Sequence, residues 1–298
     1  MKKKETIETK ETNPITKKEV PQSKQREAGM MVCTGVQGVG KTYQNMHSIK
    51  EYVKDKFYNK VKGRKCLIFD TNGEYTKEQF EKNDIENFEP RRIALKDIKA
   101  WSDANISECR RIDAKNVGIK EKKEVLEFLL KNYRNGMLVI EDINTYILQM
   151  TYMEEIVGGL VNLRHRAVDI LISYQSLRPV EPRIWQNARW IRMHYQADNV
   201  NDIKGKVNNP TMMKIAQLIV NNRYYNGDKR FFVFIHSFAN KIEGKFTKQE
   251  FMDACRQYLN SNKKYVKEYK EMHNVSDEES ITGQSKLFFE QYYGNKNK

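Results

Sequence analysis

The chain contains 298 residues, with 53 Lys and Arg against 39 Asp and Glu, which gives a formal net charge of +14. This length suits one large α/β domain with appendages, or two small domains. The positive charge favours polyanionic partners, chiefly nucleic acid or anionic lipid, although a Lys-rich genome composition would produce the same balance. The longest apolar runs, such as residues 231–235, are only as long as a strand. A membrane span needs about 20 apolar residues, so we expect none.

The cysteines and the N-terminal residues carry little specific chemistry. Cys33, Cys66, Cys109 and Cys255 lack the spacing of zinc ligands or redox pairs, so we expect reduced thiols in a cytosol-like compartment. Residues 1–28 contain lysines with no apolar stretch behind them, so they do not form a signal peptide. Their polar composition predicts a disordered, basic N-terminal segment.

From residue 29 onward, short apolar runs alternate with amphipathic stretches. The runs predict buried strands, and apolar residues three or four apart predict helices. In chain order we expect a strand at 30–34, a helix at 43–57, strands at 65–70 and 111–113, a helix at 124–133, a strand at 137–140, a helix at 154–163, and strands at 169–174 and 190–194. This alternation predicts an α/β fold with three layers, in which a mainly parallel central sheet is flanked by helices.

Beyond residue 198 the pattern is weaker. It predicts a helix at 211–220 and a strand at 230–236. Thr247 and Glu250 form a capping box, which predicts a further helix that extends to residue 259.

We therefore expect one folded domain over 29–260, with a core at 29–198 and an extension at 199–260. A charged, partly helical tail would follow at 261–298. Four aromatic residues of this tail either dock a partner or pack against the core: Phe288, Phe289, Tyr292 and Tyr293.

A phosphate-binding loop follows the first predicted strand. Residues 35–42 read Gly-Val-Gln-Gly-Val-Gly-Lys-Thr, the pattern of a P-loop, and the buried strand before it and the amphipathic helix after it fit that assignment. Gly35 and Gly40 allow backbone angles that a Cβ would forbid. Lys41 would reach the β- and γ-phosphates of ATP, and the Thr42 hydroxyl would coordinate Mg²⁺. The residues expected to contact the nucleotide are Gly35, Val36, Gln37, Gly38, Val39, Gly40, Lys41, Thr42 and Tyr43.

Polar side chains follow two later strands. Glu141 and Asp142 come directly after the apolar run at 137–140, and Gln175 follows the strand at 169–174. The carboxyl ends of parallel strands meet at the edge of the sheet where ligands bind. One carboxylate there would hold the water shell of Mg²⁺, and the next would polarise the attacking water. The amide of Gln175 would contact the γ-phosphate.

In this order the motifs resemble those of the HerA/FtsK superfamily, P-loop ATPases of the additional-strand class that pump DNA. The P-loop is followed by Phe-Asp-Thr-Asn-Gly-Glu-Tyr at 69–75 and by the two acids. A segment at 164–179 then runs from an Arg-rich helix end through an apolar strand to Gln175 and an Arg-Pro pair. The resemblance covers residues 29–198. Within the superfamily, the chain is most like a viral DNA-packaging ATPase.

The resemblance implies a homo-oligomeric ring, most commonly a hexamer, that threads double-stranded DNA and hydrolyses ATP between subunits. It also implies an arginine that reaches the γ-phosphate of the next subunit, for which Arg164 and Arg166 are the matching candidates. Many relatives have Asp before Glu at the end of the acidic strand, whereas here Glu141 precedes Asp142. Glu141 would therefore share the Mg²⁺ with Thr42, and Asp142 would be the catalytic carboxylate.

We therefore expect an ATP-hydrolysing translocase of double-stranded DNA, most like a viral genome-packaging motor. Such a motor would dock a portal or capsid vertex and work in the host cytoplasm. A motor for conjugation or another mobile element would use the same chemistry with a different docking partner. A nucleotide-gated interaction protein, which binds ATP and barely hydrolyses it, is the alternative from another class.

Overall fold

The structure is a computed structural model that describes residues 28–55, 62–143 and 150–294. The predicted disordered segment at 1–28 lies outside the described residues except for Ala28. The predicted helix at 43–57 and the tail at 261–298 also extend beyond the described residues.

The described part of the chain contains nine strands and ten α-helices. The strands are β1 Met30–Thr34, β2 Lys65–Asp70, β3 Arg91–Arg92, β4 Cys109–Asp113, β5 Gly136–Ile140, β6 Val168–Tyr174, β7 Ala188–Met193, β8 Val233–His236 and β9 Lys241–Gly244. The helices are α1 Lys41–Val53, α2 Lys77–Lys82, α3 Ile98–Asp103, α4 Ile119–Asn132, α5 Met150–Asn162, α6 Pro182–Asn187, α7 Pro210–Tyr225, α8 Lys248–Ser261, α9 Lys263–His273 and α10 Asp277–Tyr292.

All nine strands belong to one sheet in the order β3-β4-β2-β5-β6-β1-β7-β8-β9. The pairs from β3 to β7 are parallel, while β8 pairs antiparallel with both β7 and β9. The α/β class with a mainly parallel sheet is therefore confirmed. Because the seven strands from β3 to β7 run in the same direction, their carboxyl ends share one edge, where the P-loop, Glu141, Asp142 and Gln175 lie.

The strands bury both faces of the sheet because consecutive side chains point to opposite sides. Ile68 of β2 belongs to a buried cluster that includes Met46 of α1 and Phe80 of α2. Its neighbour Leu67 belongs to a separate, larger cluster that includes Leu126 of α4. Helices thus cover both faces, and the predicted three-layer arrangement is confirmed.

The segment after β7 extends the same sheet through β8 and β9. Helices α9 and α10 follow α8, and Phe288 and Tyr292 of α10 are buried. Phe289 and Tyr293 are partly buried against the same core. Of the two possibilities for these aromatic residues, packing against the core is the one observed. The boundaries at 198 and 260 stay predictions.

No helix in the part of the chain that the structure describes combines the length and the apolar character needed to cross a membrane.

Candidate functional site

The loop between β1 and α1 has a geometry that requires its glycines. Gly35, Gly38 and Gly40 have φ angles of 155°, 82° and 87°, which residues with a side chain rarely adopt. A Cβ on Gly35 would lie 2.7 Å from His194 Cβ and 3.0 Å from Val39 Cγ2. Gly40 is the left-handed residue that precedes α1. The loop shape therefore depends most on Gly35 and Gly40.

The loop presents a row of backbone N–H groups. Among the described residues, no backbone carbonyl accepts from the N–H groups of residues 37–43. The Val36 N–H, in contrast, donates to Tyr195 O at 3.1 Å. Consecutive N–H groups and the positive end of a helix dipole attract anions. The N–H groups from Gln37 to Tyr43 are therefore suited to bind phosphate oxygens, whereas the Val36 N–H is already bonded within the protein.

Lys41 lies across this loop. Its Nζ donates to Gly35 O at 2.6 Å and to Val36 O at 2.7 Å. These carbonyl oxygens hold the ammonium group beside the row of N–H groups. Since an ammonium group has three donors, a phosphate oxygen can be its third acceptor.

Asp70, the last residue of β2, shapes the turn at 71–75. Its carboxylate accepts from the N–H groups of Gly73, Glu74 and Tyr75 at 2.8, 3.0 and 3.1 Å. Arg111 Nη1 lies 3.3 Å from the same carboxylate, and both side chains are buried. A side chain that accepts three backbone donors holds the turn in one conformation. The Asp70 motif is thus a structural support for the residues that follow it.

This turn carries an acidic side chain to the P-loop. The Thr42 hydroxyl donates to Glu74 Oε2 at 3.0 Å. This bond uses the single hydroxyl proton of Thr42 and leaves its oxygen lone pairs for a metal ion. Asn72 of the same turn places its Nδ2 3.4 Å from Asp142 Oδ2. The turn therefore connects the P-loop with the end of β5.

Asp142 and Gln175 meet across β5 and β6. Gln175 Nε2 donates to Asp142 Oδ2 at 2.9 Å. Asp142 has a φ angle of 45°, in the left-handed region that Asp tolerates better than most residues. The structure thus brings together the predicted catalytic acid and the predicted γ-phosphate contact. The catalytic roles of both residues stay predictions.

Glu141 lies buried beneath this edge of the sheet. Its carboxylate accepts from the Tyr75 hydroxyl, and from Asn45 Nδ2 at 2.6 Å. Burial raises the pKa of Glu141, while hydrogen-bond donors around it, including Ser173, oppose part of that rise. The carboxylate is thus bonded to buried protein groups rather than to Thr42. A role for Glu141 in binding Mg²⁺ stays a prediction.

A buried arginine completes this set of groups. Arg192 of β7 donates to Asn45 Oδ1, and its Nη1 donates to Ser48 Oγ at 3.1 Å. The side chain is almost fully buried, and its guanidinium lies 6.0 Å from the centre of the Phe232 ring. Asn45 therefore bridges Arg192 and Glu141, and a buried positive charge lies one side chain away from the buried carboxyl group.

His194, which follows β7, supports the P-loop from below. Its Nδ1 lies 3.1 Å from Val39 O. Burial lowers the pKa of His194 well below its usual value, and the charges of Arg192 and Lys41 act in the same direction. The imidazole is therefore neutral near pH 7, with Nδ1–H donating to the Val39 carbonyl.

Arg164 and Arg166 lie at the opposite edge of the sheet, in the 3₁₀ turn Leu163–Arg166 before β6. Since β6 is parallel to β1, this turn and the P-loop are at opposite ends of their strands. Arg166 Nη1 donates to Leu130 O at 2.8 Å, near the end of α4. Arg164 is exposed. Neither arginine reaches the P-loop of its own chain, and their action on a neighbouring subunit stays a prediction.

The donor set fits a nucleoside triphosphate with Mg²⁺. The N–H row and Lys41 are donors that match phosphate oxygens. Thr42 and Glu74 offer oxygen ligands, the type that Mg²⁺ prefers.

Glu74, Asn45 and Arg192 are parts of this arrangement that the sequence did not predict. Glu74 stood inside the motif at 69–75, four residues after the strand-end Asp70, and its charge in a turn at this edge was a usable signal. Asn45 is a single polar residue in a helix, and Arg192 is a single charge in a mainly apolar strand. Neither residue belongs to a sequence pattern that predicts its hydrogen-bond partner.

No protein-family model matches the chain, and no curated protein matches it either. Two similar solved structures are of viral proteins. The genome packaging NTPase B204 from Sulfolobus turreted icosahedral virus 2, in complex with AMP, is 15% identical, with a TM-score of 0.44 over 74% of this chain and 97% of that one. B204, the DNA-packaging ATPase from Sulfolobus Turreted Icosahedral Virus, is 14% identical, with a TM-score of 0.47 over 73% and 97%.

A third similar structure is the N-terminal domain of zonular occludens toxin from Neisseria meningitidis. It is 15% identical, with a TM-score of 0.31 over 56% of this chain and 76% of that one. A viral DNA-packaging ATPase, the kind of protein that the motifs resemble, is thus among the solved structures similar to this chain.

Proposed function

We propose that this chain is an ATP-hydrolysing translocase of double-stranded DNA, most like a viral genome-packaging motor. One observation carries the proposal. The P-loop, the pair formed by Asp142 and Gln175, and the contact between Thr42 and Glu74 converge at one edge of a mainly parallel sheet. The order of these motifs along the chain is that of the HerA/FtsK superfamily.

In this proposal the P-loop supplies most of the charge stabilisation. The N–H row and Lys41 neutralise charge that develops on the phosphoryl group during transfer. They are held in place before ATP arrives, because Gly35, Gly40 and the carbonyl groups around Lys41 set their positions.

Asp142 and Gln175 handle the attacking water. The Asp142 carboxylate accepts a hydrogen bond from the water and polarises it. The Gln175 amide, 2.9 Å from Asp142 Oδ2, orients the carboxylate and contacts the γ-phosphate.

Glu74 lies beside Thr42, the place predicted from the sequence for Glu141. Bound Mg²⁺ would neutralise the β- and γ-phosphate oxygens. Thr42 Oγ1 and Glu74 Oε2 lie 3.0 Å apart at the mouth of the P-loop. Thr42 would bind the ion directly, and Glu74 would bind it through water. Glu141 would instead hold Tyr75 and Asn45 in position beneath the site.

The translocase part of the proposal rests on charge and on the resemblance. A net charge of +14 favours a polyanionic track such as double-stranded DNA. We propose a homo-oligomeric ring, with a hexamer favoured, in which the exposed Arg164 faces the ATP of a neighbour. A portal or capsid vertex would be the docking partner.

The deciding experiment measures ATP hydrolysis by the purified chain with and without double-stranded DNA. We expect DNA to stimulate hydrolysis, with a stimulation that declines as salt rises because phosphate contacts are screened. Lys41→Ala should abolish hydrolysis, and heparin, a polyanion without base pairs, should not replace DNA. Stimulation by heparin equal to that by DNA would contradict a DNA track.

A nucleotide-gated interaction protein is the second candidate. The reversed order of Glu141 and Asp142 favours it, because the carboxylate left to meet the water is that of an Asp, one methylene shorter than a Glu. Tight ATP binding with slow turnover that DNA leaves unchanged would support this candidate over a motor. A conjugation motor would share the DNA-stimulated activity, and its docking partner would distinguish it.

A further inference from the structure

The positions of the acidic residues decide which way a bound nucleotide must lie. Asp142 and Gln175 follow β5 and β6, on one side of β1 in the sheet. The γ-phosphate must face this side, since the attacking water is polarised there. The α-phosphate and the nucleoside then extend toward the other side of β1, over β7 and the connection from α7 to β8.

Arg230 lies on that side, in the connection from α7 to β8. A Cβ placed on Gly40 would be 3.6 Å from Arg230 Cγ, so the side chain runs along the P-loop at Gly40. Its guanidinium carbon lies 5.7 Å from the centre of the Tyr43 ring. Tyr43 is in the first turn of α1. It directly follows Thr42, the residue proposed to bind Mg²⁺ beside the phosphates.

Arg230 and Tyr43 form a cation–π pair beside the P-loop. A guanidinium within about 6 Å of a ring centre is held there by the cation–π attraction. Tyr43 also contacts the His47 ring, with centres 4.5 Å apart, which fixes the ring on the helix surface. Arg230 is exposed, so one planar group at the mouth of the site stays accessible to a ligand.

We propose that Arg230, supported by Tyr43, binds the base of the nucleotide by stacking. Bases stack well on guanidinium and aromatic planes. The triphosphate already has donors in the N–H row and in Lys41, so Arg230 is placed to recognise the nucleoside rather than the phosphates. This inference rests on the proposed nucleotide site and adds a residue that senses the base.

The test compares two ligands by calorimetry in the presence of Mg²⁺: ATP, and inorganic tripolyphosphate, which has no base. Arg230→Ala should weaken ATP binding about five- to tenfold, the range of a stacking contact, and leave tripolyphosphate binding unchanged. Arg230→Lys should behave like Arg230→Ala, because lysine keeps the charge but lacks the planar group. Lys229→Ala, which removes the adjacent exposed charge, should bind both ligands like the unmodified protein.

Three results would overturn the inference. Equal weakening of ATP and tripolyphosphate by Arg230→Ala would mean a contact with phosphate. Full ATP affinity in Arg230→Lys would mean that only the charge acts. Unchanged ATP affinity in Arg230→Ala would mean no contact. Failure of the nucleotide site itself gives a different pattern, since the unmodified chain would then bind neither ligand.

Discussion

At the level of single residues, two consecutive acids lie in different surroundings. Glu141 is buried among Tyr75, Asn45 and Ser173, and burial raises its pKa. Asp142 is only partly buried and is bonded to Gln175. The backbone turns sharply between them, with Asp142 at a φ angle of 45°. In the proposed site, Asp142 is therefore the carboxylate that would meet the attacking water.

This difference predicts the effect of removing the charge of Asp142. Asp142→Asn should lower kcat for ATP hydrolysis about 10²- to 10⁴-fold, the usual contribution of a general base, and leave the Kd for ATP unchanged. Steady-state hydrolysis and calorimetry measure the two quantities. Glu86→Gln, which changes an exposed acid away from the site, is the matched control. Full turnover in Asp142→Asn together with loss of turnover in Glu74→Gln would assign the base to Glu74 instead.

His194 predicts a pH dependence of stability. Its pKa is lowered in the folded protein by burial, so the unfolded chain takes up a proton first as the pH falls. The stabilising effect of a neutral His194 is complete above about pH 6.5 and is lost as the pH falls from there toward the folded pKa, by at most about 1.4 kcal/mol per pH unit.

His194→Gln should remove this part of the acid sensitivity. Urea denaturation at several pH values between 5 and 8 gives the free energy of unfolding of each variant, and the difference between the two curves isolates the histidine. His273→Gln, which changes an exposed histidine of α9, should follow the unmodified curve. Parallel curves for His194→Gln and the unmodified protein would show that His194 does not control the slope.

At the level of elements, the turn at 71–75 links four strands or the segments that follow them. Asp70 of β2 holds it through three N–H groups, and Arg111 of β4 pairs with the same carboxylate. The turn then delivers Glu74 to the P-loop after β1 and Asn72 to Asp142 after β5.

Asp70→Asn should therefore affect both stability and catalysis. It removes a buried charge that pairs with Arg111, at a cost of about 3 kcal/mol in the free energy of unfolding. It should also lower kcat, because the Asn amide keeps one acceptor oxygen where the carboxylate has two for the three N–H groups of the turn that positions Glu74. Denaturant unfolding and ATP hydrolysis measure these effects, and Asp97→Asn, an exposed helix cap without a side-chain bond, is the control. An unchanged kcat in a folded Asp70→Asn protein would separate the turn from catalysis.

The boundaries of several elements differ from prediction for local reasons. Helix α1 begins at Lys41, two residues early, because the left-handed Gly40 allows the turn. Strand β8 begins at Val233 rather than 230, since Phe231 N–H donates to Asp228 O in a turn. In the region at 76–121, α2 has six residues and β3 has two. Elements this short show no periodicity, so the sequence could not reveal them.

At the level of the whole molecule, the C-terminal helices and the sheet share one core. Phe288 of α10 packs against the rings of Tyr258, Tyr265 and Tyr292 at 5.7–6.0 Å. Gly294 N–H donates to Ile242 O of β9 at 3.0 Å. These contacts connect the predicted tail to the strands that extend the sheet.

Phe288→Ala should therefore destabilise the whole protein by about 3–5 kcal/mol, the cost of removing a buried aromatic side chain. We expect one unfolding transition, detected alike by tyrosine fluorescence and far-ultraviolet circular dichroism. Leu287→Ala changes the adjacent, half-exposed residue and should cost less than about 1 kcal/mol. Two separate transitions would show that the tail helices fold apart from the sheet.

The amino-acid sequence by itself determined the features that depend on near neighbours in the chain. The P-loop was predictable because Gly35, Gly40, Lys41 and Thr42 act within eight residues. The strands were predictable because a buried strand is an apolar run of five or six residues, and their alternation with helices implies a parallel sheet.

The tertiary structure alone decided which polar groups meet. Thr42 and Glu74 are 32 residues apart, and Asn45 and Glu141 are 96 apart. Gly40 and Arg230 are brought together only because the connection from α7 to β8 returns to the P-loop. Hydrogen-bond partners at such separations depend on strand order and on loop paths, which result from the packing of the whole core rather than from any local pattern.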